Sequence, residues 1–144
     1  MLEEKLYVIG GLDCKWNPTK LCETYDSRKG TWQSIAKLKS ARWNMGVTVL
    51  NRKIYAIGGN HNEEQLARTV EVYNPKLDVW DRSVAPMKRG RRCLGVAVIN
   101  NLIYVVGGRV TNTIECYNDK TNTWTTIATV NAFCTFGCVA LRLI

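Results

Sequence analysis

Three times in 144 residues the chain runs an apolar, tyrosine-bearing stretch into a pair of glycines: Leu6-Tyr7-Val8-Ile9-Gly10-Gly11, Ile54-Tyr55-Ala56-Ile57-Gly58-Gly59 and Ile103-Tyr104-Val105-Val106-Gly107-Gly108. The copies are spaced by 48 and then 49 residues. Each is followed by a tyrosine and, seven positions later, a tryptophan: Tyr25 and Trp32, Tyr73 and Trp80, Tyr117 and Trp124. A third marker stands before the second and third double glycines, where Gly46-Val47-Thr48-Val49-Leu50 matches Gly95-Val96-Ala97-Val98-Ile99. Gly137-Cys138-Val139-Ala140-Leu141 begins a further copy. Self-similarity at this period describes a chain of like supersecondary units, each burying its apolar face against the next.

Within each unit, β-branched and aromatic residues fall in runs of strand length separated by turn residues, which predicts four short strands, a to d. Strand a is the Gly-Val-x-Val run and strand b the run into the double glycine. They are joined through Asn51-Arg52 or Asn100-Asn101, where asparagine tolerates the positive φ of a tight hairpin. Strand c holds Glu23-Thr24-Tyr25, Glu71-Val72-Tyr73 or Glu115-Cys116-Tyr117, and strand d holds the tryptophan. The c–d turns are rich in Asp, Asn, Pro and Gly, as hairpins require. No helical periodicity survives.

The double glycine, the Tyr-x6-Trp spacing and the period near 50 residues resemble the kelch motif. The chain is similar in wording to the Kelch-like family, in which BTB and BACK domains precede the repeats. The resemblance implies an all-β fold in which each repeat forms one four-stranded antiparallel blade of a β-propeller. The expected organisation is one kelch-repeat domain over residues 1–144, with repeats at about 1–45, 46–94 and 95–136 and an extra strand at 137–144. Neither BTB nor BACK sequence is expected in these residues. Kelch propellers usually have six blades, so three describe a partial propeller or half of a six-bladed ring. The phase, b-c-d, then a-b-c-d twice, then a, suits either a homodimer that exchanges strands head to tail or completion by additional blades. The tyrosines and tryptophans are expected to be core residues that pack one blade against the next.

Lys and Arg outnumber Asp and Glu by 20 to 12, for a formal charge of +8, which favours acidic partners without choosing among them. Acidic Glu3 and Glu4 stand where a secretory signal would be basic, and the apolar runs are far shorter than the roughly 20 residues of a membrane helix. Of the cysteines at 14, 22, 93, 116, 134 and 138, only the last two approach metal-ligand spacing, and there is one histidine. The expectation is therefore a cytoplasmic protein with reduced thiols, no cofactor and no metal.

In an up-and-down meander the b–c loops and the d-to-a links share one rim. The b–c loops, at 12–21, 60–69 and 109–112, vary in length and sequence while the strands repeat, as a binding rim would. The links add Lys37, Lys39, Arg42, Lys88, Arg89, Arg91 and Arg92 to the same rim. Arg42 and Arg91 each stand four residues before a strand-a glycine, where the resemblance implies a partner-contacting arginine; Phe133 fills that slot in the third copy. A guanidinium fork suits a carboxylate ligand. The alternative is that these arginines bond backbone carbonyls between blades or simply face solvent. Trp16, alone in the first b–c loop, is a candidate interface anchor whose alternative is packing on its own blade. Arg89, Arg92, Arg109 and His61 complete the partner-binding set, although loop solvation also accounts for His61.

A module that binds an acidic protein segment follows, and by resemblance it would recognise substrates for a cullin-3 ubiquitin ligase. Actin, with an acidic surface, is the alternative within binding. A kelch-type copper oxidase calls for paired histidines with tyrosines, which one histidine cannot supply, and neither a catalytic triad nor a phosphate loop is present. The Lys88-Arg89-Gly90-Arg91-Arg92 run is also similar to a nuclear import signal, but nucleic acid ranks behind protein because the run lies in a link already expected to be basic.

Overall fold

Residues 5–60, 68–109 and 111–131 are described by the structure, a computed structural model. The expected extra strand at 137–144 and His61 lie outside them. Among the described residues, alternating apolar residues give eleven strands: β1 (Lys5–Ile9), β2 (Cys22–Asp26), β3 (Thr31–Ile35), β4 (Gly46–Leu50), β5 (Lys53–Ile57), β6 (Val70–Asn74), β7 (Val79–Asp81), β8 (Gly95–Ile99), β9 (Leu102–Val106), β10 (Thr113–Asn118) and β11 (Thr123–Thr129). They form three antiparallel meanders, β1-β2-β3, β4-β5-β6-β7 and β8-β9-β10-β11, so the chain is all-β and a partial propeller. The a–b hairpins turn on Asn51 and Arg52 (φ 49° and 60°) and on Asn100 and Asn101 (φ 48° and 63°). Positive φ at both central residues is the geometry that matches strand twist.

Strand periodicity sends alternate residues to opposite faces, and each sheet buries them against its neighbour. Between the first two sheets lie Ile9, Cys22, Leu38, Ile54, Ala56, Tyr73 and Trp80. Tyr55, Ile57, Val70 and Val72 of the second sheet meet Ile103, Val105, Tyr117 and Trp124 of the third. The middle sheet is thus covered on both faces, and four consecutive residues of β5 are buried.

The Tyr-x6-Trp spacing has a specific geometric cause. Tyr25 pairs with Trp32, Tyr73 with Trp80 and Tyr117 with Trp124 directly across the c–d hairpin, with ring centroids 5.1, 5.1 and 5.0 Å apart. In the second blade, Trp80 Nε1 donates to Ala36 O at 2.9 Å, while Asp78 Oδ1 accepts from both Tyr73 OH and the Ala36 amide at 2.8 Å. The third blade repeats this with Trp124, Tyr117, Asn122 and Ala85. The second and third blades thereby each clamp the link arriving from the blade before. The first blade departs from expectation: Trp32 is 50% exposed because no preceding link covers it among the described residues.

Candidate functional site

The double glycines join loops and links into one rim. Gly11 N donates to Arg42 O and Gly59 N to Arg91 O, laying the link into each blade across the glycines of the preceding blade. Gly59 has a φ of +98°, and a Cβ there would lie 2.8 Å from Trp43 O and 2.9 Å from Met45 Cβ. Only glycine admits so close a backbone crossing. One residue further on, Asn60 N donates to Trp43 O at 2.7 Å and Arg109 N to Arg92 O at 2.9 Å. Arg92 and Arg109 therefore occupy in the third blade the paired rim positions that Trp43 and Asn60 hold in the second. At the opposite rim, Asn51 Nδ2 donates to Asp119 Oδ2, tying an a–b turn to a neighbouring c–d turn.

Arg42 and Arg91 are not at the rim surface; both have 0% exposure. Arg42 Nη1 donates to Gly58 O and Thr69 O at 3.0 and 3.1 Å, and Nη2 to Thr69 Oγ1 and Glu71 Oε1 at 3.0 and 2.9 Å. Arg91 makes the same four bonds to Gly107 O, Thr113 O, Thr113 Oγ1 and Glu115 Oε1 at 2.6 to 2.7 Å. Glu71 also accepts the amides of Lys39 and Ser40, and Glu115 those of Lys88 and Arg89. Burial pulls the Arg42 pKa down, opposed by the Glu71 carboxylate. Their expected role as partner contacts is corrected: each fork fastens the entering link to strands b and c of its own blade, through carbonyls within the blade and not between blades, and through a threonine and a glutamate side chain. A sequence signal marks the pair, since Thr-x-Glu-x-Tyr occurs in the two blades entered through such an arginine and Leu21-x-Glu23-x-Tyr25 in the first.

The remaining candidates are distributed differently. The Arg89 side chain and Arg109 are exposed, and Arg92 is half-buried. Among the described residues Arg92 Nε has no hydrogen-bond partner, and the ion pairs Arg42–Glu71, Arg82–Glu71 and Arg91–Glu115 include neither Arg92 nor Arg109. Lys39 and Lys88, whose amides are fixed by the buried glutamates, hold their side chains in solvent.

Trp16 is 80% exposed at the tip of a loop that holds itself in shape. Leu12 bridges Pro18, Asp13 Oδ1 accepts the amides of Lys15 and Asn17 at 2.8 Å, and Trp16 N donates to Asp13 O at 3.0 Å. Those bonds, the Asn17 amide first, hold the Asp13 carboxyl below its ordinary value. Trp16 takes φ 65°, a conformation the surrounding bonds impose. It does not pack on its own blade.

Cys14, Cys22, Cys93 and Cys116 are free thiols, and burial pushes Cys22 upward. No group of three or more His, Cys, Asp or Glu able to hold a metal is found among the described residues. Nor is any helix there long and apolar enough to cross a membrane.

The Kelch motif matches this sequence at residues 1–39, 41–88 and 90–131. Human Kelch-like protein 33 is 38% identical over 78 residues, covering 53% of this chain and 14% of that protein. Human Kelch-like protein 11 is 33% identical over 78 residues, 54% of this chain and 11% of that protein. Beta-scruin of Limulus polyphemus is 36% identical over 84 residues, 54% of this chain and 9% of that protein. The chain thus matches only about a tenth of the length of these relatives. With three motifs spanning most of its residues, and glycines, Tyr–Trp pairs and blades to match, the chain belongs to the Kelch motif family.

Proposed function

We propose that the chain is a protein-recognition module that grips an acidic segment of its partner on the rim of b–c loops and d-to-a links. The observation that carries this reading is the Arg92 and Arg109 pair, joined through the backbone and lacking a carboxylate partner among the described residues. Two arginines whose backbones are joined in this way attract a carboxylate by charge, and a guanidinium binds one through paired hydrogen bonds. Exposed Arg89 and Lys88 extend the positive field, and Trp16 offers an apolar anchor on a pre-shaped loop, which lowers the entropy lost on binding. Likeness to Kelch-like proteins supports the finer proposal that the partner is a substrate delivered to a cullin-3 ubiquitin ligase, with this chain supplying recognition and no catalysis.

The test is the affinity of the whole chain for a glutamate-rich peptide, beside a DNA duplex of unrelated sequence and filamentous actin at rising salt. An Arg92→Ala/Arg109→Ala variant is expected to weaken the peptide at least tenfold, because each charged hydrogen bond contributes about 1.5–3 kcal/mol. Equal affinity of variant and wild type would overturn the reading. Tighter duplex binding with a steep salt slope would replace the acidic peptide with nucleic acid, and co-sedimentation near physiological salt would replace it with actin.

A further inference from the structure

The three c–d turns share a basic residue, on the rim opposite the b–c loops and links. Asp26-Ser27-Arg28-Lys29-Gly30, Asn74-Pro75-Lys76-Leu77-Asp78 and Asn118-Asp119-Lys120-Thr121-Asn122 each open on Asp or Asn and carry Arg or Lys two positions on. In all three the opening side chain accepts that residue's amide at 3.0 Å: Arg28 N donates to Asp26 Oδ1, Lys76 N to Asn74 Oδ1 and Lys120 N to Asn118 Oδ1. A side-chain bond of this kind fixes the turn locally, so each blade presents a cation at the same place. Arg28, Lys76 and Lys120 are all exposed. The a–b turn of the second blade adds exposed Arg52 and Lys53, and the bond from Asn51 to Asp119 holds that turn beside the c–d turn of the third blade.

The carboxylates of these turns are already engaged. Asp26 Oδ1 accepts the Arg28 and Lys29 amides, Asp78 Oδ1 the Ala36 amide and the Tyr73 hydroxyl, and Asp119 Oδ2 the Asn51 side-chain amide. Among the described residues the ion pairs Arg42–Glu71, Arg82–Glu71 and Arg91–Glu115 include none of Arg52, Lys53, Lys76 and Lys120. In the middle turn stand Leu77 and Val79, 68% and 43% exposed. The equivalent positions hold Lys29 and Thr31 in the first blade and Thr121 and Thr123 in the third, so this apolar pair belongs to the middle turn alone.

We propose that this rim docks on an anionic lipid membrane, with Arg28, Arg52, Lys53, Lys76 and Lys120 against the headgroups and Leu77 entering the boundary between headgroups and acyl chains. Charge complementarity selects an anionic surface. Lipid is selected among anions by Leu77, which needs an apolar phase directly beside the phosphates, as a bilayer interface supplies. The turns at 26–30, 51–53, 74–78 and 118–122 hold no aromatic residue, the platform on which nucleic-acid bases stack. Lipids also diffuse, so cations set by the spacing of blades need no matching register in the partner. Pro75 and the Asn74 bond hold the Leu77 turn in shape beforehand, which lowers the ordering cost of insertion.

The experiment sediments the 144-residue chain with vesicles of phosphatidylcholine containing phosphatidylserine, and with vesicles of phosphatidylcholine alone. Binding to the anionic vesicles only is expected, weakening as salt screens the charges. Lys76→Gln and Lys120→Gln should each weaken it about fivefold, the worth of one cation at such a surface. Leu77→Ser should weaken it several-fold without changing the salt dependence. Arg89→Gln removes the same charge from the opposite rim and should leave binding within about twofold, since exposed charges beyond a Debye length are screened. Equal binding to both kinds of vesicle, a loss from Arg89→Gln as large as that from Lys76→Gln, or indifference to Leu77→Ser would each overturn the proposal. Tighter binding of a DNA duplex than of the anionic vesicles, weakened by the same two lysine variants, would replace lipid with nucleic acid.

Discussion

The first and second blades carry the same residues in different circumstances. Their Tyr–Trp pairs have the same 5.1 Å separation, yet Trp80 is 4% exposed and Trp32 is 50% exposed. Their strand-c glutamates share a position, yet Glu71 is buried beneath Arg42 and Glu23 stands in solvent. What is common to both, strand register and ring pairing, is made within a blade by hairpin geometry. What differs, burial and ion pairing, comes from the link entering from the preceding blade. The motif residues therefore fall into a group that shapes the blade and a group that joins blades.

Glu71→Ala provides the strongest break of this comparison. It strips the partner from a fully buried guanidinium and from the amides of Lys39 and Ser40, so a loss of about 3–5 kcal/mol in urea denaturation is expected. Glu23→Ala, removing an exposed carboxylate, should change stability by less than about 0.5 kcal/mol. Equal losses would show that the glutamate stabilises its own strand and not the link. The milder Glu71→Gln, which keeps two acceptor or donor groups in place, preserves the contrast if the alanine variant does not fold.

Tryptophan substitutions sharpen the same contrast. Trp80→Ala removes a buried ring and its bond to Ala36 O, with an expected cost of about 3–5 kcal/mol. Trp32→Ala removes a half-exposed ring stacked on Tyr25, and should cost about 1 kcal/mol or less, the worth of an aromatic pair. Differential scanning calorimetry separates the two by the drop in Tm.

Much of this fold was legible in the sequence because the repeat fixes strand order, and the seven-residue Tyr-to-Trp spacing fixes the hairpin register. The fate of the arginines was not. Arg42 and Arg91 are charged residues in loop-like links, a pattern that ordinarily means solvent, and their burial depends on threonine and glutamate 27 to 29 positions away in the second blade and 22 to 24 away in the third. Arg92 and Arg109 stand out in the sequence only as basic residues of a link and a loop, and the backbone bond that joins them is not revealed by composition. A lone tryptophan in a loop is compatible with either packing or exposure. The local sequence Asp13-x-x-x-Asn17 contained the loop-closing bonds that decide it.

The first b–c loop gives the finest version of the comparison. In the other two blades, the residue after the double glycine donates its amide to the incoming link, as Asn60 does to Trp43 and Arg109 to Arg92. Leu12 has no such link among the described residues and bridges Pro18 instead, leaving Asp13 to organise the turn. The Asp13 carboxyl is held below its ordinary 3.8 because the ionised form accepts the Asn17 and Lys15 amides. A depressed folded-state pKa means that its stabilising effect is fully present above the unfolded value and is lost as pH falls through the folded one. The amide resonances of Lys15 and Asn17 should thus lose their hydrogen-bonded shifts in a step whose midpoint lies below that of an ordinary aspartate, while the Asn60 and Arg109 amides, which bond to carbonyls, stay constant through that range. Asp13→Asn should abolish the pH step at Lys15 and Asn17. A step that survives the substitution, or one shared by Asn60 and Arg109, would mean that the loop is held by the rim as a whole and not by its own carboxylate.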